Sequence, residues 1–312
     1  MQRTLLPKPW RNWAGNVRCQ PSHCAYPATL EEVQSELMRC TEEAERLRVV
    51  GGGHAHTPLS FSDENHMSLA HFTGIESVDK PRRRAWVRAG TRLGRLGQSL
   101  AQRGLALDVH GDYTQQTLGG ALAGGLINSA NGLSSLASLV TGFRVVLPNG
   151  TAHTVTQDNG DNFDAGRLSL GVMGVITHIE LQCRTPYRLV TRRENARFDS
   201  VIDRLERLRR GHRHLTLYWH PAAGDVLLLS RNLTRAPVTR FPGRRLAQDF
   251  IANNLVGPDH PTGAGSDAVG PPHQSTGRPR SPLGHRIARG LRAHPLGAPC
   301  RVGIRHSGGR RA

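Results

Sequence analysis

Three consecutive glycines, Gly51-Gly52-Gly53, follow the short apolar run Leu47–Val50 and lead directly into His54-Ala55-His56. A buried strand that empties into backbone without Cβ atoms has to turn there. The bare N–H groups of such a turn can approach an anionic ligand closely. The stretch is not a Walker A loop, because no Lys-Ser/Thr pair follows, and the G-x-G-x-x-G dinucleotide spacing fails. By itself, a triple glycine after a strand is more often a plain turn than a ligand loop, and a lone histidine is more often a surface or satisfied core residue. A second run changes the balance. His110 to Gly125 joins polar Asp112, Thr114, Gln115, Gln116 and Thr117 to the small residues Gly119, Gly120, Ala121, Ala123, Gly124 and Gly125. The competing reading is a tightly packed glycine-rich helix. Two such segments flanking a βαβ-like unit favour a large anionic cofactor.

The chain divides into three stretches. Residues 1 to about 185 alternate helix-like and strand-like segments. Thr29-Leu30-Glu31-Glu32 is a capping box that opens a helix expected to run to about Arg46. Leu93, Leu96 and Leu100 share one face of a helix starting near Thr91. Residues 142–148 and 151–155 flank Asn149-Gly150, which predicts a hairpin closed by a type I′ turn. Residues 84–89 and 174–183 read as further strands. Residues 186 to about 256 change rhythm to strand, helix (Phe198 to Arg210) and an antiparallel hairpin of Leu215–Trp219 with Val226–Leu229, as in a second α+β domain. Residues 257–312 hold 11 Gly and 8 Pro, no Phe, Trp or Tyr, and nine Arg against two Asp. A segment of that composition cannot bury enough apolar surface to offset chain entropy, so it is expected to be a disordered tail.

A length of 312 residues suffices for one large domain or two ordinary ones. The net charge of +17 is carried almost wholly by arginine, with lysine only at Lys8 and Lys80. Such a balance suits nucleic acid or an anionic surface. No helix-turn-helix, zinc-finger or RNA-binding signature accompanies it, so no specific nucleic-acid partner is expected. Cys19, Cys24, Cys40, Cys183 and Cys300 are odd in number and lack metal-site spacing, which predicts reduced thiols and no metal. The N-terminal residues do not read as a signal peptide. No stretch reaches the ~20 apolar residues of a membrane helix. A cytoplasmic location follows as the expectation, with peripheral membrane contact left open.

The order of motifs resembles flavoproteins of the vanillyl-alcohol-oxidase type, which share the PCMH-type FAD-binding domain, and is most similar to the aldonolactone oxidases (gulonolactone, arabinonolactone and alditol oxidases). The residues that carry the resemblance begin with Asn12-Trp13-Ala14-Gly15-Asn16 and Val49 to His54. Val87 to Thr91, Gly104 to Leu107, Gly111-Asp112 with Gln116 to Gly120, Leu147 to Gly150, and Ser169 to Thr177 follow in order. Weaker similarity continues through Leu217 to Pro221 and Phe250 to Leu255. The implied fold is α+β: a two-subdomain PCMH-type FAD-binding domain (residues 1–185), an incomplete α+β substrate or cap domain (186–256) and the tail (257–312).

By this resemblance Gly51, Gly52, Gly53, His54, Ala55 and His56 would wrap the FAD pyrophosphate, with His54 bonded covalently to the flavin. Asp112, Gln116, Thr117, Gly120 and Gly124 would line the isoalloxazine and ribityl side, and Ile176 would hold the adenine end. The implied activity is oxidation of a secondary alcohol of a sugar 1,4-lactone or polyol, with O2 or another electron acceptor. Two departures stand out. Where the family has a Gly-Thr-His-Gly-Thr-Gly-like segment, this chain has Gly125-Leu126-Ile127-Asn128-Ser129-Ala130, in which Asn128 and Ser129 remain as hydrogen-bond donors. The family's late His-Trp-Gly-Lys-like segment has no counterpart, which leads to the expectation of a truncated or frame-shifted product. No catalytic base is identified; His110, His178, His212, His214 and His220 are available. Two alternatives remain: a flavin-binding remnant with little turnover, and a basic protein that binds nucleic acid or an anionic surface.

Overall fold

The computed structural model describes residues 9–238, apart from 110, 112, 128, 131, 133, 134 and 220–223. Candidate residues His110, Asp112, Asn128 and His220, the segment 250–255 and the tail 257–312 lie outside the described residues.

Strands β1 (Trp10–Arg11) and β2 (Arg18–Cys19) form an antiparallel ribbon. Strands β3 (His23–Ala25), β4 (Leu47–Val50) and β5 (Asn65–Ser68) form a parallel sheet in the order β3-β5-β4. Helix α1 (Leu30–Glu42) makes the crossover from β3 to β4. Its Thr29 hydroxyl accepts from Glu32 N–H at 3.2 Å, while the Glu32 carboxylate reaches back to Ala28 N–H at 2.6 Å. The helix stops four residues short of the expected Arg46. Ala44 takes a left-handed φ of 52°, and Glu45 N–H returns to the Cys40 carbonyl at 2.8 Å, an ending that frees the chain to enter β4.

The larger sheet contains β6 (Ile75–Asp79), β7 (Arg84–Arg88), β8 (Val140–Val146), β9 (Ala152–Thr156) and β10 (Val175–Gln182), antiparallel throughout in the order β6-β7-β10-β8-β9. Its core includes Phe143, Val87, Ile179 and Leu181, all essentially buried. Helix α2 (Leu93–Ala101) adds Leu93, Leu96 and Leu100, the face expected from their spacing. Each of these leucines contributes about 1.5–3 kcal/mol by burial. Helix α3 (Leu118–Ala123) adds Leu118 and Leu122 and is capped by Thr117, whose hydroxyl accepts from Gly120 N–H at 3.3 Å. Helix α4 (Asp161–Arg167) packs Phe163 against Phe143, with ring centres 6.0 Å apart.

The β8–β9 hairpin forms where Asn149-Gly150 predicted it, with a different turn. Gly150 N–H bonds the Leu147 carbonyl at 2.9 Å, and Gly150 alone in the loop has positive φ (78°). Proline at position 148 fixes a negative φ at the first corner, which rules out a type I′ turn and selects a three-residue loop ending on a left-handed glycine.

A third sheet, β11 (Leu189–Arg197), β12 (His214–Trp219) and β13 (Asp225–Leu233), runs antiparallel in the order β11-β13-β12. Helices α5 (Phe198–Asp203) and α6 (Leu205–Gly211) lie against it and close a separate small core around Val201, Val226 and Leu228. The expected single helix from Phe198 to Arg210 is broken at Arg204, whose φ of −110° and ψ of 11° leave the helical region.

Candidate cofactor-binding site

Between the parallel sheet and the large antiparallel sheet lies a cavity of about 770 Å³, within the roughly 300–1,000 Å³ range of small-molecule sites. Gly51 and Gly52 enter it from the end of β4, Thr117, Gly119 and Gly120 from the start of α3, and Gly174 to Ile176 from β10 and its approach. The two glycine-rich segments meet directly. A Cβ on Gly51 would overlap the Thr117 hydroxyl and stand 3.5 Å from Gly120 Cα, so only glycine permits this approach of backbone to backbone.

Val49, Leu59, Leu170 and Val172 also line the cavity, and each is exposed although large and apolar. Arg48, Arg92 and Arg95 add positive charge along the same wall. The Gln116 Oε1 and Ser169 Oγ atoms are buried without a hydrogen-bond partner among the described residues. A cavity of this volume lined by apolar side chains, arginines and a glycine seam fits a dinucleotide that joins flat rings through a diphosphate.

Of the expected residues, Gly51, Gly52, Thr117, Gly120 and Ile176 line this cavity, whereas Gly53, His54, Ala55, His56, Gln116 and Gly124 do not. His54 stands just beyond the lining. A Cβ on Gly52 would be 3.2 Å from His54 Nε2. The His54 ring meets Tyr113 edge-on with centres 4.4 Å apart, and Trp13 lies 6.1 Å away. Burial, then the electrostatic influence of Arg92 and His56, lowers the His54 pKa and so favours the neutral imidazole.

The loop that carries His54 is held from outside. Buried Asn12 donates its amide to the Ala55 carbonyl at 2.9 Å and to Asn16 Oδ1 at 2.7 Å, and Asn16 donates to the His56 carbonyl at 2.8 Å. Trp13 N–H bonds the Gly53 carbonyl at 2.7 Å. Asn12 and Asn16 were visible only as part of the opening motif; nothing in a lone asparagine announces a partner 43 residues away.

Three of the available histidines, His178, His212 and His214, lie among the described residues. His178 is buried, with Nε2 3.3 Å from Glu76 Oε1 and Nδ1 3.1 Å from Thr177 Oγ1. His212 Nδ1 pairs with the Asn232 amide at 2.8 Å, and His214 is buried on β12. No histidine lines the cavity among the described residues. Cys19, Cys24, Cys40 and Cys183 are free thiols, and no cluster of metal-ligating side chains occurs among the described residues. None of the described helices is long and apolar enough to cross a membrane.

Comparison with known proteins agrees with this geometry. Residues 21–156 match the family described as FAD binding domain. L-gulono-1,4-lactone dehydrogenase of Mycobacterium tuberculosis is 27% identical over 248 residues, covering 79% of this chain and 58% of that protein. L-gulonolactone oxidase of Bos taurus is 28% identical over 229 residues, covering 73% and 52% respectively. This chain therefore spans little more than half the length of these relatives. Among solved structures, cholesterol oxidase from B. sterolicum superposes with a TM-score of 0.64 at 17% identity, over 80% of this chain and 55% of that one, which establishes a shared fold. Residues 21–156 are thus an FAD-binding domain of the PCMH type, and the chain is an FAD flavoprotein.

Proposed function

We propose that this protein is an FAD-dependent oxidoreductase of the aldonolactone-oxidase type, oxidising a secondary alcohol of a sugar 1,4-lactone or a polyol, with O2 or another acceptor taking the electrons. The observation that carries the proposal is the cavity floored by the Gly51–Gly120 seam, in a chain similar along most of its length to a lactone dehydrogenase and a lactone oxidase. When bound, FAD supplies the hydride acceptor that side chains lack. The chain's own residues bind and orient. Gly51, Gly52 and Gly120 would let the cofactor approach closely, Arg48, Arg92 and Arg95 would offset its diphosphate charge, and Val49, Leu170 and Val172 would pack against its apolar parts.

His54 is the residue we assign to covalent attachment of the flavin. A ring nitrogen can form that bond only with its lone pair free, and the lowered pKa of His54 favours that form. Asn12, Asn16 and the Trp13 backbone fix the loop from which it projects. No catalytic base is assigned.

The test is direct. Purified protein expressed with riboflavin is expected to be yellow and to keep its colour through acid precipitation, and a His54→Ala variant to lose it on precipitation. L-gulono- or L-galactono-1,4-lactone is expected to bleach the flavin anaerobically. A colourless protein would sink the cofactor assignment, and a yellow protein bleached by neither lactone nor polyol would sink the substrate class alone.

A further inference from the structure

Cys19 lies on the two-stranded ribbon, opposite Trp10, and its sulfur is 3.7 Å from His66 Nε2 on β5. Both residues are buried, Cys19 to 8% exposure, yet Cys19 also lines an open groove of about 550 Å³ with Trp10, Arg11, Arg18 and Gln20. The Trp10 ring stands edge-on to His66 with centres 5.4 Å apart. The imidazole also interacts with the Ser60 backbone. A nucleophile, a base within reach and a third group orienting the base make up the arrangement by which proteins activate thiols. The Arg11 and Arg18 side chains line the same groove.

We propose that Cys19 and His66 form a peroxide-reactive thiol site, distinct from the flavin cavity. His66 Nε2 takes the thiol proton as a sulfur lone pair forms the S–O bond and the peroxide O–O bond breaks. The departing hydroxide recovers that proton from His66 and leaves as water. Cys19 is oxidised to a sulfenic acid and hydrogen peroxide is reduced to water. His66 Nε2 stands 3.7 Å from the thiol, and Cys24 is near enough to interact with it electrostatically. Burial, the largest influence, lowers the His66 pKa and so favours the neutral ring.

The other described thiols provide an internal control. Cys24 is more exposed than Cys19 and is 5 residues away in sequence, but burial and the neighbouring Cys19 raise its pKa. Cys40 and Cys183 are each pushed up to about 11, chiefly by burial. Exposure alone therefore ranks Cys24 first, whereas activation by His66 ranks Cys19 first.

The experiment treats reduced, full-length holoprotein with dilute hydrogen peroxide in the presence of dimedone and then alkylates the remaining thiols after denaturation. Fragmentation of the tryptic peptide Cys19–Arg39 tells the two thiols apart. Cys19 is expected to be oxidised about tenfold faster than Cys24 and to carry the dimedone adduct, with a His66→Gln variant slowing Cys19 to the rate of Cys24. Faster or equal oxidation of Cys24 in the unmodified protein would overturn the proposal, whether or not the variant folds.

Discussion

The side-chain amide of Asn12 bonds the carbonyl of Ala55 at 2.9 Å, joining the ribbon to the loop that carries His54. Asn12 is 3% exposed and also receives Val17 N–H at 3.1 Å, so one side chain holds both segments in place. Replacing it with alanine leaves the Val17 N–H and the Ala55 carbonyl short of a partner, at about 1–3 kcal/mol. An Asn12→Ala protein is expected to unfold at lower denaturant and to retain less acid-stable flavin than the parent. Unchanged flavin retention would show that the clamp does not position His54.

The Gly51–Thr117 seam predicts a non-additive pair. Gly51→Ala drives its methyl into the Thr117 hydroxyl, and Thr117→Ala removes that oxygen at the expense of the α3 cap, about 1 kcal/mol. The double variant is expected to be more stable than the sum of the two single losses allows, with a coupling of about 1 kcal/mol or more. Chemical denaturation of the four proteins measures it.

Stability is expected to fall as pH drops below the ordinary histidine value of 6.5. His54, His66 and His178 all have lowered pKa values, chiefly through burial. Folded protein then binds fewer protons than the unfolded chain in this window, so protonation favours unfolding and stability rises with pH. For His178, Glu76 works against the shift while Arg144 and Arg88 add to it. Urea midpoints of flavin-free protein between about pH 7.5 and 5 check the sign, and His178→Asn should flatten the slope.

Asp108 accepts from Arg184 Nη1 at 2.6 Å and from Arg213, which leads into β12, while both guanidiniums lie over the Tyr187 ring at 4.5 and 5.5 Å. The carboxylate is three-quarters buried and ties β12 to the segment after α2. Asp108→Ala is expected to cost about 1.5–3 kcal/mol and to speed amide exchange in β12 more than in β8. Equal protection in both strands would show that this ion pair is not what secures β12.

Local chemistry determined much of this protein. Thr29 starts α1 and Leu93, Leu96 and Leu100 bury one face of α2, because capping and helical spacing act within a few residues. The motif series from Asn12 to Thr177 likewise pointed to an FAD domain, and the triple glycine marked one wall of its cavity. Tertiary structure decided the rest. The turn at Asn149-Gly150 was set by Pro148, and the end of α1 by the need to reach β4 beside Asn65. Arg92, Arg95, Leu170 and Val172 face the cavity with Gly51 only because two sheets pack across it. His54 has the spacing of a cofactor residue in the chain, but its lowered pKa comes from burial and from Arg92, 38 residues further on, and its loop is held by Asn12. Desolvation and long-range hydrogen bonds exist only in the folded chain, and no local pattern encodes them.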